Sequence, residues 1–76
     1  MHTWLIKRID AEREEAIKKW GDVDKTPDLL LNAATEELGE VAHAINHKEG
    51  VIAAQQEIVE TMAVLARLYD MVGQEP

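Results

Sequence analysis

The chain has 76 residues, contains no cysteine and carries a formal net charge of −7. Without cysteine it has neither disulfides nor thiolate metal sites, and its acidic excess argues against a surface that follows a nucleic-acid backbone. A chain of this size buries only about 60% of the surface that its unfolded form exposes. We therefore expect self-association, or a bound ion with oxygen ligands, to add stability.

The hydropathy pattern argues against a membrane-spanning segment. The most apolar stretch, residues 62–72, is interrupted by Arg67 and Asp70 and is too short to cross a bilayer. The first residues lack a signal-peptide pattern. We therefore expect a single soluble, cytoplasmic domain over residues 1–76, with neither a membrane nor a nucleic-acid polymer as partner.

The first predicted element is a helix over about residues 4–20, because apolar residues recur there at spacings near 3.6. Thr3 is placed to cap its start and Gly21 to end it. The charged run at residues 7–19 is interpreted as a solvated face without specific chemistry. Two favourable pairs four residues apart support this interpretation, Glu14 with Lys18 and Glu15 with Lys19.

The second predicted helix follows a short polar linker at residues 22–25. It runs from Pro27 to Ile45 or Asn46, with Thr26 as the capping residue and the proline in the first turn. This is the clearest helix start in the chain. A turn is predicted next, and it leads into the third helix.

The third predicted helix covers residues 51–72, after a turn at residues 46–50, and ends before Gly73. Nine of the eleven residues from 62 to 72 are apolar. Such a helix must be covered on nearly every side, and two other helices of one chain can cover about half of it. The predicted fold is all-α, a three-helix chain with an antiparallel helical hairpin. We expect a homodimer or homotetramer in which the third helix packs against its copy in a bundle of four or more helices.

The second and third helices carry five closely spaced glutamates: Glu36, Glu37, Glu40, Glu57 and Glu60. A spacing of three residues places Glu37 with Glu40, and Glu57 with Glu60, on one helical face. In an antiparallel hairpin, Glu37 and Glu60 lie at equal distances from the middle of the turn, and so do Glu40 and Glu57. These four side chains are therefore predicted to form a square of carboxylates between the two helices.

This square is electrostatically unfavourable without a counter-charge. Its flanking residues are apolar, which places it near the core-facing side of the hairpin; they include Leu38, Val41, Ile58 and Val59. Two like charges about 4 Å apart repel by roughly 4 kcal/mol at an effective dielectric of about 20. The four groups must therefore take up protons or hold cations, and all-oxygen ligands favour Mg²⁺ or Mn²⁺ over Zn²⁺. A solvated, glutamate-rich helix face is the simpler alternative.

The pattern of acids resembles a known family. Glu-Glu-x-x-Glu at residues 36–40, followed after a short hairpin by Glu57-x-x-Glu60, is similar to the signature of all-α nucleoside triphosphate pyrophosphohydrolases of the MazG type. The likeness covers roughly residues 20–72. At position 60 the chain has glutamate where the family usually has aspartate, so this acid is longer by one methylene group.

The resemblance implies a reaction and a set of site residues. The reaction is magnesium-dependent hydrolysis of a nucleoside triphosphate to a nucleoside monophosphate and pyrophosphate. The implied magnesium ligands are Glu37, Glu40, Glu57 and Glu60, and Glu36 is the implied catalytic residue that orients a water or supports a second ion. Candidate substrate contacts are Lys18, Lys19, Lys25 and Arg67 for the phosphates and Trp20 for the base. For each of these five, an ordinary solvated, ion-paired or core-packing role is the alternative, and Trp4 is assigned to packing or to the oligomer interface.

Two other functions compete with this interpretation. Glu40-Val41-Ala42-His43 is a Glu-x-x-His element of the kind that holds di-iron centres in helical bundles, but the third helix offers no matching histidine. His43 and His47 lie one turn apart and form either a metal-binding pair or a hydrogen-bonded pair near a helix end. The non-enzyme alternative is a small helical interaction module, or an inactive family member that regulates a partner.

Overall fold

The computed structural model describes residues 3–20 and 26–74, and of Trp20 it describes the backbone alone. Three helices account for nearly all of these residues, and no strand occurs among them: α1 (Thr3–Trp20), α2 (Pro27–Asn46) and α3 (Val51–Gly73). The predicted all-α class is therefore confirmed. Within the described ranges, no helix combines the length and apolar character needed to span a membrane.

The boundaries of α1 and α3 differ slightly from the predictions. α1 includes Thr3 as a helical residue, whereas the sequence placed Thr3 before the first turn. α3 ends at Gly73, one residue beyond its predicted end. The predicted ending of α1 at Gly21 and the linker at residues 22–25 lie outside the described residues.

The start of α2 is as the sequence predicts. Thr26 has an extended backbone, and its hydroxyl accepts a hydrogen bond from the backbone N–H of Leu29 at 3.3 Å. Pro27 occupies the first turn, where its missing N–H leaves no bond unmade, and Asp28 adds an acid at the positive end of the helix. The first turn of α2 is thereby held in place by local interactions alone.

α2 ends in a left-handed turn that does not use glycine. The backbone N–H of Glu49 donates to the carbonyl of Ala44 at 3.0 Å, which requires the residue before it to adopt a left-handed conformation. That residue is Lys48, with a φ of 52°. Gly50, with a φ of 108°, follows directly before α3. The four residues between the helices therefore reverse the chain with one strained non-glycine residue.

α3 is the central helix of the chain. Both α1 and α2 pack against it, whereas α1 and α2 do not pack against each other in the described ranges. The buried core is small and consists largely of short side chains: Leu30, Ala34 and Ala44 from α2, and Val59, Thr61 and Ala63 from α3. The Thr61 hydroxyl is satisfied inside the helix, since it donates to the backbone carbonyl of Glu57 at 2.8 Å.

A row of apolar residues on α2 and α3 is left uncovered in the single chain. Leu31, Leu38 and Ile45 recur every seven residues on α2, and Val51, Ile58, Leu65 and Val72 do so on α3. Their exposed fractions range from 39% to 73%. We call these seven residues the apolar stripe. A repeat of seven keeps residues on one side of a helix, as in helices that pack against one another lengthwise.

The apolar stripe corrects one expectation about the glutamate square. Leu38 and Ile58 were expected to mark a core-facing side, but they are 60% and 39% exposed, while Val59 is buried. The reason is geometric, because each residue advances about 100° around the helix axis and neighbours in sequence cannot share one face. The acids and the apolar stripe therefore lie on different faces of α2 and α3.

Candidate metal centre

Four glutamates from two helices converge on one point. Glu37 and Glu40 come from α2, Glu57 and Glu60 come from α3, and one carboxylate oxygen of each lies within 4.8 Å of those of the other three. Glu40 is exposed, whereas the other three side chains are partly buried. We call these four residues the glutamate cluster.

The contacts inside the glutamate cluster pair the residues that the spacing predicts to face each other. The carboxyl groups of Glu37 and Glu60 are close enough to share a hydrogen bond when one of them is protonated. The Glu57 carboxyl is likewise close enough to share a hydrogen bond with Glu40 on α2 and with Glu60 on α3. The sequence positions of the four acids therefore account for their meeting.

Two carboxyl groups of the glutamate cluster, those of Glu57 and Glu37, have raised pKa values. The pKa of the Glu57 carboxyl is raised from 4.5 to about 7, and burial is the largest cause. Hydrogen bonds with Glu40 and Glu60, and the negative charges of these two residues, raise it further. Burial also raises the pKa of Glu37, followed by the charges of Glu40 and Glu60. A smaller contribution to the Glu37 pKa comes from Glu12 of α1. Near pH 7 the Glu57 carboxyl is therefore partly protonated, and a positive ion would displace that proton.

Two oxygens of the glutamate cluster are buried without a partner. Oε2 of Glu37 and Oε2 of Glu57 are inaccessible to solvent, and neither accepts a hydrogen bond. A buried carboxylate oxygen without a donor is unfavourable by about 1–3 kcal/mol or more. Both oxygens belong to residues whose carboxylates converge, so a cation held by the glutamate cluster would lie close to both of these carboxylates.

α1 also reaches the glutamate cluster, which the sequence analysis missed. Nε2 of Gln56 on α3 donates to Glu12 of α1 at 3.2 Å and to Glu60 at 3.5 Å. Oε1 of Gln56 accepts from the guanidinium of Arg8, also on α1, at 3.0 Å. The charged run of α1 is thus not only a solvated face. No local pattern marks these contacts, because they join residues 44 to 48 positions apart.

A cleft of about 1040 Å³ adjoins the glutamate cluster. It lies between α1 and α2 with α3 on its third side, and Glu12, Glu37 and Glu60 form part of its wall. Its apolar lining comes from all three helices: Ala16, Ile17, Leu30, Ala33, Ala63, Val64 and Met71. The cleft exists because α1 packs against α3 but not against α2.

Three basic side chains border the same cleft. They are Arg13 and Lys19 of α1 and Arg67 of α3. Arg13 forms an ion pair with Asp70 at 2.7 Å, and this pair is largely exposed. Glu15 and Asp70 also line the cleft, so its wall contains both acids and cations. Such a cleft can bind a polyanion through its cations, provided that a metal ion neutralises the acids of the glutamate cluster.

The remaining predicted site residues are placed as follows. Glu36 is exposed on α2 and is not one of the four residues that converge. Lys19 and Arg67 line the cleft, whereas Lys18 does not line it and pairs with Glu15 at 3.8 Å on the surface. This pair spans three residues instead of the predicted four. The side chain of Trp20 and the whole of Lys25 lie outside the described residues.

The histidines form a separate polar group. The rings of His43 and His47 lie 4.1 Å apart between centroids, and Nε2 of His43 is 3.2 Å from a carboxylate oxygen of Glu49. Within the described part of the chain, His43 is not in the group of converging metal-ligand atoms. The structure thus places this histidine beside Glu49 near the end of α2.

Comparison with known proteins adds no relative. No family model, no curated protein and no solved structure matches this chain. The resemblance to MazG-type pyrophosphohydrolases therefore depends on the acid pattern of residues 36–40 and 57–60.

Proposed function

We propose that the protein is a magnesium-dependent nucleoside triphosphate pyrophosphohydrolase that acts as a homo-oligomer. The observation that carries this proposal is the glutamate cluster, with its two buried and unpartnered oxygens beside a cleft. The resemblance of the acid pattern to MazG-type enzymes supplies the reaction. No other feature of the described residues concentrates polar chemistry to the same degree.

The donor set of the glutamate cluster fits a hard divalent cation. All of its ligand atoms are carboxylate oxygens, which are the ligands that Mg²⁺ and Mn²⁺ prefer. One carboxylate oxygen of each glutamate lies within 4.8 Å of those of the other three, so the four residues would be able to share one cation.

The cleft fits a nucleotide. Its volume of about 1040 Å³ is at the upper end of the range for small-molecule sites. The apolar lining offers contacts for a base and sugar, while Lys19 and Arg67 are near enough to the cleft to hold phosphate oxygens. Lys18, Lys25 and Trp20 remain candidates for further substrate contacts.

In the proposed reaction, water attacks the α-phosphorus of a nucleoside triphosphate. A new bond forms between the water oxygen and that phosphorus, the bond to the α,β-bridging oxygen breaks, and pyrophosphate leaves with the bridging oxygen. When bound, Mg²⁺ supplies charge neutralisation at the phosphates and activation of the water. Glu37, Glu40, Glu57 and Glu60 hold the ion, and Glu36 orients the water and takes up its proton. Lys19 and Arg67 stabilise the negative charge that develops on the leaving pyrophosphate.

The assembly follows from the apolar stripe. α2 and α3 form an antiparallel hairpin, which we infer from their short connection and from the contacts Glu37–Glu60 and Glu40–Glu57. We propose that two chains pack their apolar stripes together, so that α3 meets its copy and a four-helix bundle results. The glutamate cluster remains accessible in this arrangement, because Glu60 and Ile58 differ by about 200° around the axis of α3.

A second candidate function is a helical interaction module, and the exposed apolar stripe favours it. Apolar patches of this kind mark surfaces that bind other proteins. In that case the glutamate cluster has a structural role, and its cation stabilises the hairpin without turnover. A di-iron protein is less favoured, because His43 contacts Glu49 and is not in the glutamate cluster.

The deciding experiment measures pyrophosphate release from canonical and modified nucleoside triphosphates in the presence of Mg²⁺ or Mn²⁺. The natural chain is compared with Glu37→Gln and Glu40→Gln, and with Glu14→Gln as a control that removes the same charge from an exposed position on α1. We expect both cluster substitutions to reduce kcat by at least about 100-fold and the control to leave it unchanged. Folded protein that binds the metal but cleaves no nucleotide would instead support the interaction module.

A further inference from the structure

α1 carries a row of three side chains, two of which form hydrogen bonds with α3. Trp4, Arg8 and Glu12 are spaced four residues apart, which places them one above another on the helix. The Arg8 guanidinium lies over the Trp4 ring, 5.1 Å from its centre. Arg8 and Glu12 both bind the same partner on α3, the partly buried amide of Gln56.

The chemistry of the partners sets the orientation of the Gln56 amide. Arginine can only donate hydrogen bonds, so its contact at 3.0 Å requires the carbonyl oxygen of Gln56. The amide nitrogen then points toward Glu12 and Glu60, which as carboxylates can only accept. The three contacts are mutually consistent, and a flipped amide would place donor against donor and acceptor against acceptor.

This arrangement links α1 to the glutamate cluster through a single neutral group. The two N–H bonds of Gln56 lie between two carboxylates that would otherwise repel each other. One of them, Glu60, belongs to the glutamate cluster and has one methylene group more than aspartate, and therefore one more rotatable bond. A hydrogen bond from Gln56 to Glu60 restricts that extra freedom.

We infer that Gln56 is a positioning residue for the metal ligand Glu60, and that Arg8 of α1 sets the amide orientation on which this depends. The inference builds on the proposed metal centre. Glu60 presents to the cation the oxygen that Gln56 does not occupy, and α1 becomes a structural part of the centre. Outer partners of metal ligands typically change metal affinity or activity by about 10- to 100-fold when they are removed.

The test measures Mn²⁺ binding to the full chain in two ways. Calorimetric titration gives the affinity, and electron paramagnetic resonance gives the line shape of the bound ion. Gln56→Met keeps the length and volume of the side chain but removes its hydrogen bonds. Gln55→Met is the matched control, because Gln55 is the same residue type on the same helix, is exposed, and points about 100° away. We expect Gln56→Met to weaken Mn²⁺ binding about 10- to 100-fold and to change the resonance line shape, and we expect the control to do neither.

The possible outcomes separate this inference from the proposed function. Equal affinity and equal line shape for Gln56→Met and the natural chain overturn the positioning role and leave the metal centre intact. Absence of Mn²⁺ binding by the natural chain overturns both. If Gln56→Met does not fold, Arg8→Met tests the same link, since it frees the amide to flip. A weaker affinity with an altered line shape supports the role, and natural behaviour in the folded Arg8→Met protein overturns it.

Discussion

The two faces of the α2 and α3 pair differ in chemistry but share one property. One face carries the glutamate cluster, whose four carboxyl groups converge. The other carries the apolar stripe, whose side chains are exposed. Glu37 and Leu38 are neighbours in sequence, yet they belong to different faces because of the helical rotation between them. Under the proposed function, each face is stabilised by something added to the single chain, a cation on one side and a second copy on the other.

The largest expected effect breaks the apolar face. Leu65→Lys places a charge in the middle of the apolar stripe, and two-fold symmetry would introduce it twice per dimer. Burial of one leucine contributes roughly 1.5–3 kcal/mol. We therefore expect self-association to weaken by at least about 100-fold, measured by sedimentation velocity over a range of concentrations.

Leu29→Lys is the matched control for this substitution. Leu29 is 56% exposed, against 46% for Leu65, but it does not belong to the apolar stripe. The Leu29→Lys substitution should therefore leave self-association unchanged. An equal loss of association in both variants, or a natural chain that is monomeric at every concentration, contradicts the assignment of the apolar stripe as the interface.

The next effect concerns the acid face. Glu57→Gln removes one charge from the glutamate cluster, so we expect the metal-free protein to gain about 1 kcal/mol of stability and its response to Mg²⁺ or Mn²⁺ to fall sharply. For a domain of this size such a gain corresponds to roughly 4–8 °C in Tm, which thermal unfolding monitored by circular dichroism detects. Glu14→Gln provides the charge-matched control. A metal response that survives in Glu57→Gln would show that the cation binds elsewhere.

The third effect is the pH dependence of stability without metal. The folded protein raises the pKa of Glu57 from 4.5 to about 7, so folding favours the protonated acid. The stability that this proton provides is complete below pH 4.5 and is lost as the pH rises toward 7. We expect the Tm of the metal-free chain to fall by a few degrees between pH 4.5 and pH 7. The increase in Tm on adding Mn²⁺ should be largest above pH 7. Glu57→Gln should remove this component, and an unchanged pH profile in that variant counts against the perturbed acid.

The smallest effect lies at the turn that joins the two faces. Lys48 adopts a left-handed conformation, which costs a non-glycine residue about 1–2 kcal/mol. Lys48→Gly removes this cost, but glycine gives the unfolded chain more conformational freedom, which lowers the free energy of unfolding by roughly 0.5–1 kcal/mol. A net gain of about 0.5 kcal/mol is expected from denaturant unfolding, with Lys48→Ala as the control that keeps the strain. If Lys48→Gly were instead less stable than Lys48→Ala by about 0.5–1 kcal/mol, the left-handed conformation would carry no measurable cost.

The predictable parts of the molecule are those set by short-range spacing. The capping of α2 by Thr26 follows from three consecutive residues, and the meeting of Glu37 with Glu60 follows from their symmetry about the turn. The contacts of Gln56 could not be predicted in the same way. They depend on how α1 lies against α3, and nothing in a charged helix face specifies which of its residues meets a partner 44 to 48 positions away.

The turn and the apolar residues show a second limit of sequence reasoning. Gly50 is the residue of this turn from which a positive φ is expected, but Lys48 also has one. The hydrogen bond from the N–H of Glu49 to the carbonyl of Ala44 places the left-handed residue at a fixed distance from the end of α2, and that residue is Lys48. The apolar residues around the acids were expected to face the core, although Leu38 is exposed. Apolar character indicates that a side chain needs cover, but it does not identify whether the same chain or another provides it.

The position of α1 has a consequence for the order in which the chain opens. Among the described residues, α1 packs against one helix, whereas α3 packs against two. The described links from α1 to α3 include side-chain hydrogen bonds and the largely exposed ion pair of Arg13 with Asp70. Regions with few buried contacts open at lower free energy than the rest of a protein. Amide hydrogens of α1 should therefore exchange with solvent deuterium sooner than those of α3 around Val59 and Ala63. One wall of the cleft should then open at a lower free energy than its floor.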